Sequence, residues 1–138
     1  MEKTVCSIQT RIAETDSLGV VYYSHFFTYF EVARLAFLKS IGCSENDLND
    51  FFCRTYILEA HCVFKSPVQP LEEIEIEVQI SELQEKTFKM TYKICGKIDH
   101  REIAEGYTIG IFIDHARKGV KIPNWFVMRV RSKTNPSS

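Results

Sequence analysis

The residue best placed to do chemistry is Asp16, which lies in the short stretch Glu14-Thr15-Asp16-Ser17, with Gly19 three residues later. A carboxylate can act as a nucleophile or as a general base. The chain after it predicts a buried helix, and the unpaired amides at a helix N-terminus can stabilise an oxyanion. Taken alone, a Thr-Asp-Ser-x-Gly stretch more often forms an Asx-turn or a cap. Both interpretations of Asp16 therefore stay open at this point.

The helix that would position this carboxylate is indicated by large apolar residues at helical spacings. Ser24 is a suitable N-cap residue and Gly42 a suitable stop. The apolar residues cover most of the helix circumference, which predicts a helix that is nearly engulfed by the fold; they are Phe26, Phe27, Tyr29, Phe30, Ala33, Phe37, Leu38 and Ile41.

Alternating apolar and polar residues predict strands around this helix, joined by short turns that favour antiparallel pairing. The expected strands cover residues 4–12, 54–65, 72–83, 86–98 and 103–114, with a short helical turn over 44–52 and a last strand near 120–122 that resumes after Pro123. A helix of about 17 residues is about 26 Å long. Five or six strands at about 4.8 Å span a similar width. The sequence therefore predicts an α+β fold, one long central helix wrapped by a curved antiparallel sheet of five to six strands.

Composition limits the possible functions. The 138 residues predict a single domain over 1–130, with a polar tail over 131–138 that we expect to be disordered. The net charge of −1 argues against a nucleic-acid partner. We expect no signal peptide and no membrane span, and hence a cytoplasmic protein. The five cysteines are scattered and form no Cys-x-x-Cys pair, which predicts neither a disulfide framework nor a metal site.

Several segments resemble the hot-dog-fold thioesterases of the 4-hydroxybenzoyl-CoA thioesterase-like family, especially the acyl-CoA thioesterases associated with the Tol–Pal system. The segments that carry the resemblance are Glu14-Thr15-Asp16, Gly19-Val20-Val21-Tyr22, Tyr29-Phe30-Glu31 and Ala33-Arg34, with weaker similarity at 64–67 and 114–123. The resemblance implies a hot-dog fold and thioester hydrolysis. It also implies a homodimer or homotetramer whose active site is shared across the dimer interface.

The resemblance also implies site residues. The catalytic groups would be Asp16, as nucleophile or general base, and the backbone N–H of Tyr23, as oxyanion donor. The substrate-binding residues would be Gly19, Val20, Tyr22, His25, Phe26, Ser66, Lys86 and Lys118, with the two lysines contacting the phosphates of coenzyme A. No metal or cofactor is implied, because coenzyme A is part of the substrate.

Some residues keep two interpretations. Gly19 could provide a turn with positive φ or allow close approach of the acyl group. Glu31 and Arg34 are three residues apart, which predicts a structural ion pair on the helix. His61 on a strand is expected to be exposed or interfacial.

Three other functions would also fit a hot-dog domain. One is a thioesterase acting on acyl-carrier-protein thioesters, since the pantetheine arm is the same. Another is an acyl-thioester dehydratase or hydratase, although His25-Phe26 is followed here by Phe27 and not by proline. The third is a binder of acyl thioesters without catalytic activity.

Overall fold

The computed structural model describes residues 3–134, which form five strands and three α-helices. In chain order these are β1 (Thr4–Gln9), α1 (His25–Ser40), α2 (Glu45–Arg54), β2 (Thr55–Phe64), β3 (Glu73–Leu83), β4 (Thr87–Gly96), β5 (Glu102–Phe112) and α3 (Asn124–Thr134). A 3₁₀ turn over Ile12–Glu14 leads from β1 toward α1. The predicted helical turn is confirmed as α2, where Ser44 accepts a hydrogen bond from the Asp47 amide.

The five strands form one antiparallel sheet in the order β1-β3-β4-β5-β2. Alternate residues of the central strands are fully buried and face α1, whereas their neighbours face outward; the buried ones include Ile74, Ile76, Val78 and Ile80 on β3 and Phe88, Met90, Tyr92 and Ile94 on β4. This alternation is what a sheet with one buried face requires. The predicted α+β architecture, with one long helix on one antiparallel sheet, is confirmed.

Helix α1 packs its apolar side on the sheet, where Phe30 stacks on Tyr92 with ring centroids 4.1 Å apart. Its opposite side remains open, since Val32 is 42% exposed and Glu31 is also exposed. The helix is therefore deeply embedded on one side but is not enclosed by a single protomer.

A small polar network lies within this core. Arg34 donates a hydrogen bond to the Tyr92 hydroxyl at 3.2 Å, and that hydroxyl lies 2.7 Å from the Thr108 hydroxyl. Tyr92 and Thr108 are each only 2% exposed, so these contacts satisfy groups that water cannot reach. The predicted ion pair between Glu31 and Arg34 is absent from the described residues, because Arg34 instead points toward Tyr92.

The C-terminal part differs from the sequence prediction, which placed a resumed strand and then a disordered tail after Pro123. Residues Asn124–Thr134 form α3, so the helix continues past the predicted boundary at residue 130, whereas residues 135–138 lie outside the described part. The Pro123 carbonyl accepts hydrogen bonds from the Phe126 and Val127 amides, which begins the helix. Phe126 is fully buried against the rings of Phe51, Phe88 and Phe112.

Strand β2 is an edge strand with an irregularity that simple alternation did not predict. Its register with β5 shifts between Ile57 and Glu59, so Leu58 is an extra residue in a β-bulge. Strict alternation along the strand would place Tyr56 on the same face as Phe64, but the bulge reverses the facing of the residues before it. Several large apolar residues of β2 are exposed in the protomer: Tyr56, Ile57, Leu58, Val63 and Phe64.

Candidate active site

Asp16 lies in a tight loop that the backbone closes on itself. Thr15 and Val21 form an antiparallel bridge, the Asp16 amide donates to the Val20 carbonyl at 2.9 Å, and the Gly19 amide donates to the Asp16 carbonyl at 3.1 Å. The carboxylate oxygen Oδ1 accepts from the Leu18 amide at 2.8 Å, which is an Asx-turn. The second oxygen, Oδ2, has no partner among the described residues. The turn thus fixes one oxygen of Asp16 and leaves the other available.

Gly19 has the backbone conformation that the turn requires. Its φ is +77°, a conformation that side chains other than glycine rarely adopt. A Cβ at this position would meet no atom within 4 Å, so the space around the residue is open. The structure therefore shows the turn, and close approach of the acyl group to Gly19 stays a prediction.

The start of α1 provides the candidate oxyanion donors, but not through the cap that the sequence predicted. The Ser24 side chain makes no capping hydrogen bond, because the amides of His25, Phe26 and Phe27 already bond to carbonyls three residues earlier. The N–H groups of Tyr23 and Ser24 have no acceptor in the described chain. Unpaired donors at a helix N-terminus are suited to stabilise developing negative charge.

A groove of about 370 Å³ joins these two features. Asp16 and the start of α1 form one wall, and the segment that follows β2 forms the other; the lining residues are Asp16, Val21, Tyr22, Tyr23, Phe26, Phe64, Lys65, Ser66, Pro67 and Val68. The Val21 amide bonds to the Val68 carbonyl at 2.8 Å, which joins the two walls. A ligand in this groove would lie beside both Asp16 and Tyr23.

Aromatic rings dominate the groove. The rings of Tyr22 and Tyr23 lie 4.5 Å apart, and Phe26 packs edge-on to Phe64 at 5.1 Å. The adjacent Tyr23 hydroxyl raises the pKa of Tyr22, and burial and the negative charge of Asp16 add smaller contributions in the same direction. The groove is therefore apolar along its floor and polar at the Asp16 end.

Ser66 and Lys65 lie at the rim of the groove on the β2 side. The Ser66 hydroxyl donates to the Glu102 carbonyl at 2.6 Å, which leaves its lone pairs free to accept from a ligand. Lys65 Nζ lies 3.5 Å from Glu102 and 3.4 Å from Glu105. Burial lowers the pKa of Lys65, but its bonds and charge contacts with the two glutamates outweigh this and raise the pKa above its ordinary value.

The two lysines expected to contact coenzyme A lie at the other end of the sheet. Lys86 precedes β4, Lys118 lies in the turn after β5, and Lys86 Cδ lies near Gly119, so the two lysines are at the same end of the sheet. Thr55, at the start of β2, pairs with Phe112 near the lysines, whereas Phe64, at the end of β2, lines the groove and pairs with Ala104. The length of β2 therefore separates the two lysines from the groove. Ten strand residues span about 30 Å. A single protomer does not bring these lysines to Asp16.

The structure therefore groups part of the predicted site. Asp16, Tyr22, Tyr23, Phe26 and Ser66 line one groove, whereas Gly19, Val20 and His25 adjoin it without lining it. The sequence prediction did not include Phe64, Lys65, Pro67 and Val68 in the site. The sequence feature that could have indicated these residues is Pro67, which ends the second predicted strand, because a groove can form where a strand ends beside the Asp16 loop.

Two further observations concern what the described residues could bind. Between residues 3 and 134 no group of three or more His, Cys, Asp or Glu side chains is arranged to hold a metal ion. In the same range no helix has both the length and the apolar character needed to cross a membrane.

Comparison with known proteins identifies relatives of this fold. The family model of the thioesterase-like superfamily matches residues 10–130. A protein of Aquifex aeolicus (strain VF5) named as a candidate esterase is 35% identical over 79 residues, which is 57% of this chain and 62% of the relative. A protein of Bacillus subtilis (strain 168) named as a candidate acyl-CoA thioesterase is 30% identical over 61 residues, 44% of each chain. The matches thus span less than two thirds of these two relatives.

Solved structures agree with the family match. The structure of BH1999, a gentisyl-coenzyme A thioesterase, is 25% identical, covers 93% of this chain and 99% of that one, and superposes with a TM-score of 0.78. This agreement confirms the hot-dog fold and the resemblance to thioesterases of the 4-hydroxybenzoyl-CoA type. The association with the Tol–Pal system stays a prediction.

Proposed function

Because this chain belongs to the thioesterase-like superfamily, we propose that it hydrolyses acyl-CoA thioesters, with coenzyme A as part of the substrate and no other cofactor. The observation that carries the proposal is the groove that Asp16 shares with Tyr23, whose N–H is unpaired. The names of the Bacillus relative and of BH1999 support the same reaction class.

The reaction would use the free oxygen of Asp16 and the amides at the start of α1. Asp16 either takes a proton from a water that adds to the thioester carbonyl carbon, or adds to that carbon itself and forms an anhydride that water then cleaves. In both routes a C–O bond forms and the C–S bond breaks, and the thiolate leaves with the bonding electrons. The N–H of Tyr23, assisted by that of Ser24, would stabilise the carbonyl oxygen while it carries negative charge.

The lining of the groove favours an aromatic acyl group. Four aromatic side chains line it, namely Tyr22, Tyr23, Phe26 and Phe64, and aromatic pairs add attraction beyond the area that they bury. BH1999 is named for an aromatic acyl-CoA. We therefore expect aromatic acyl-CoA thioesters to be cleaved with a higher kcat/KM than straight-chain ones of similar size.

The active unit would be a homodimer formed through the β2 edges. Among residues 3–134, β2 pairs only with β5, so its other side has backbone groups without a strand partner in that range, beside exposed apolar side chains. Antiparallel pairing of two β2 strands about a two-fold axis places the end of one strand beside the start of the other. The groove next to Phe64 of one protomer would then lie near Lys86 and Lys118 of its partner, where these cations could bind the phosphates of coenzyme A.

The first test compares wild type with Asp16→Asn on a panel of acyl-CoA substrates, with a thiol reagent reporting free coenzyme A. The asparagine keeps an oxygen that can accept from the Leu18 amide, so the turn should survive. We expect wild type to release thiol and Asp16→Asn to lose at least about 100-fold in kcat. Tyr23→Phe, which keeps its backbone N–H, is the control and should retain most of the activity. A fully active Asp16→Asn would contradict the assigned role.

The same assay separates the other functions. A carrier-protein thioesterase would release thiol only from acyl-carrier-protein substrates. A hydratase would change the absorbance of an enoyl thioester without releasing thiol. A binder without activity would shift the melting temperature with acyl-CoA but release nothing.

The second test addresses the shared site. Leu58→Lys places a charge on the exposed part of β2, and Ile98→Lys is the control because Ile98 is also exposed but lies in the turn after β4. We expect Leu58→Lys to give monomers by light scattering and to raise KM for acyl-CoA, with Ile98→Lys unchanged. A monomeric and fully active Leu58→Lys would refute the shared site.

A further inference from the structure

Glu14 is a buried carboxylate that the proposed reaction does not use. It is only 7% exposed and lies two residues before Asp16, in the 3₁₀ turn that follows β1. Buried carboxylates are uncommon unless their oxygens are bonded, because removing the charge from water is costly. What its oxygens contact therefore indicates what it does.

The Glu14 side chain bonds to helix α1 and to its own turn. Oε1 accepts from the Tyr29 hydroxyl at 2.8 Å and from the Arg11 amide at 2.8 Å, and Oε2 lies 3.6 Å from Arg11 Nε. Burial raises the pKa of Glu14, but these bonds, together with the charges of Arg11 and His25, outweigh it and lower the pKa below its ordinary value. The carboxylate is thus ionised at neutral pH.

The Glu14 backbone carbonyl bonds to the segment that precedes α1 and carries the candidate oxyanion donor. It accepts from the Tyr22 amide at 2.9 Å, and Tyr22 directly precedes the residue whose free N–H is the candidate oxyanion donor. Tyr29 lies on α1, one turn after the groove residue Phe26, and the two rings pack edge-on at 5.6 Å. A single residue therefore fixes the chain before Asp16, the backbone before Tyr23 and the first turns of α1.

We propose that Glu14, through its buried hydrogen bond to Tyr29, is a positioning residue that holds the Asp16 carboxylate and the Tyr23 N–H at the separation that catalysis requires. This inference rests on the proposed function and adds to it a requirement on geometry. Displacement of reacting groups by about 1 Å can cost about 100-fold in rate even when the substrate still binds. The effect should thus fall on kcat and leave KM nearly unchanged.

The experiment measures kcat and KM for the best acyl-CoA of the panel, together with the melting temperature, in Tyr29→Phe, Glu14→Ala and Glu14→Gln. Tyr29→Phe removes only the hydroxyl and should lower kcat about 10-fold with KM within about twofold of wild type. Glu14→Ala removes the acceptor and should lower kcat further. Glu14→Gln keeps an oxygen that accepts from Tyr29 and should restore kcat to within about threefold of wild type.

Two controls make the outcomes distinct. Tyr92→Phe also removes a buried tyrosine hydroxyl, but Tyr92 neither lines the groove nor bonds to Glu14, so this variant should lower the melting temperature and leave kcat unchanged. Asp16→Asn tests the reaction itself. If Asp16→Asn is inactive while Tyr29→Phe has the kcat of wild type, the positioning role is wrong and the proposed function stands. If Tyr92→Phe and Tyr29→Phe lower kcat equally, the effect is one of general stability and the inference fails.

Discussion

The buried hydroxyl pair of Tyr92 and Thr108 allows a stability prediction that can be worked out from the structure. Tyr92→Phe keeps the ring stacked on Phe30, removes the hydroxyl to which half-buried Arg34 donates, and leaves the Thr108 hydroxyl, which is 2% exposed, without a partner. An unpaired buried hydroxyl costs about 1–3 kcal/mol. At about 4 °C per kcal/mol for a domain of this size, the melting temperature should fall by about 8 °C.

The matched control is Tyr107→Phe, which removes a tyrosine hydroxyl on the outer face of the sheet. That hydroxyl donates to exposed Glu59 at 2.5 Å, and both groups can bond to water when the contact is lost. The free energy of unfolding should therefore change by less than about 0.5 kcal/mol. Differential scanning calorimetry on both variants provides the comparison.

The double variant Tyr92→Phe/Thr108→Val tests the reasoning most directly. Valine has the shape of threonine without its hydroxyl, so no buried polar group of this pair is left unpaired. We expect the melting temperature to recover most of the loss seen in Tyr92→Phe. A double variant less stable than Tyr92→Phe alone would refute the argument, as would a Tyr92→Phe that is as harmless as Tyr107→Phe.

Three further predictions concern stability. Phe126→Ala should lower the free energy of unfolding by about 3–5 kcal/mol in urea titrations, because it empties a fully buried site that anchors α3. Hydrogen bonds from Arg101 hold the pKa of Glu72 below its ordinary value. This ion pair therefore stabilises the fold above about pH 4.3, and its contribution is lost as the pH falls through the lower pKa of the folded state. In thermal melts from about pH 6 to about pH 3, the melting temperature of Glu72→Gln should fall less than that of wild type. Gly106→Ala places a Cβ in steric overlap with the backbone oxygen of His61, so it should displace β2 and lower the melting temperature by several degrees in the same melts.

The sequence predicted well those segments in which the residue pattern is compatible with one secondary structure only. Strand β3 alternates strictly because one side meets α1 and the other meets water, and α1 was recognised from apolar residues such as Phe30 and Phe37 at helical spacing. The Asp16 loop was located because a turn directly precedes that helix. In each case local preference and burial act in the same direction.

The errors arose where a tertiary contact decides between local alternatives. The residues of α3 include Trp125, Phe126 and Val127, which favour strands locally, but burial of Phe126 and Val130, four residues apart, selects a helix. The bulge at Leu58 adds one residue to β2, which a period of two does not reveal. The position of Lys86 and Lys118 relative to the groove depends on strand order and register, which the sequence does not specify, and their contact with coenzyme A stays a prediction.

The order of the strands also affects synthesis of the chain. Helix α1 is synthesised before β3, β4 and β5, the three central strands of the sheet on which its apolar side packs. Residues 41–112 take about 4–14 s to synthesise at about 5–20 residues per second. During that interval the aromatic side chains of α1 are not yet covered by the sheet, so the nascent chain exposes a hydrophobic surface that is prone to aggregation. Slower translation would lengthen this exposure, and recombinant yield should depend on how well the host's chaperones shield the emerging helix.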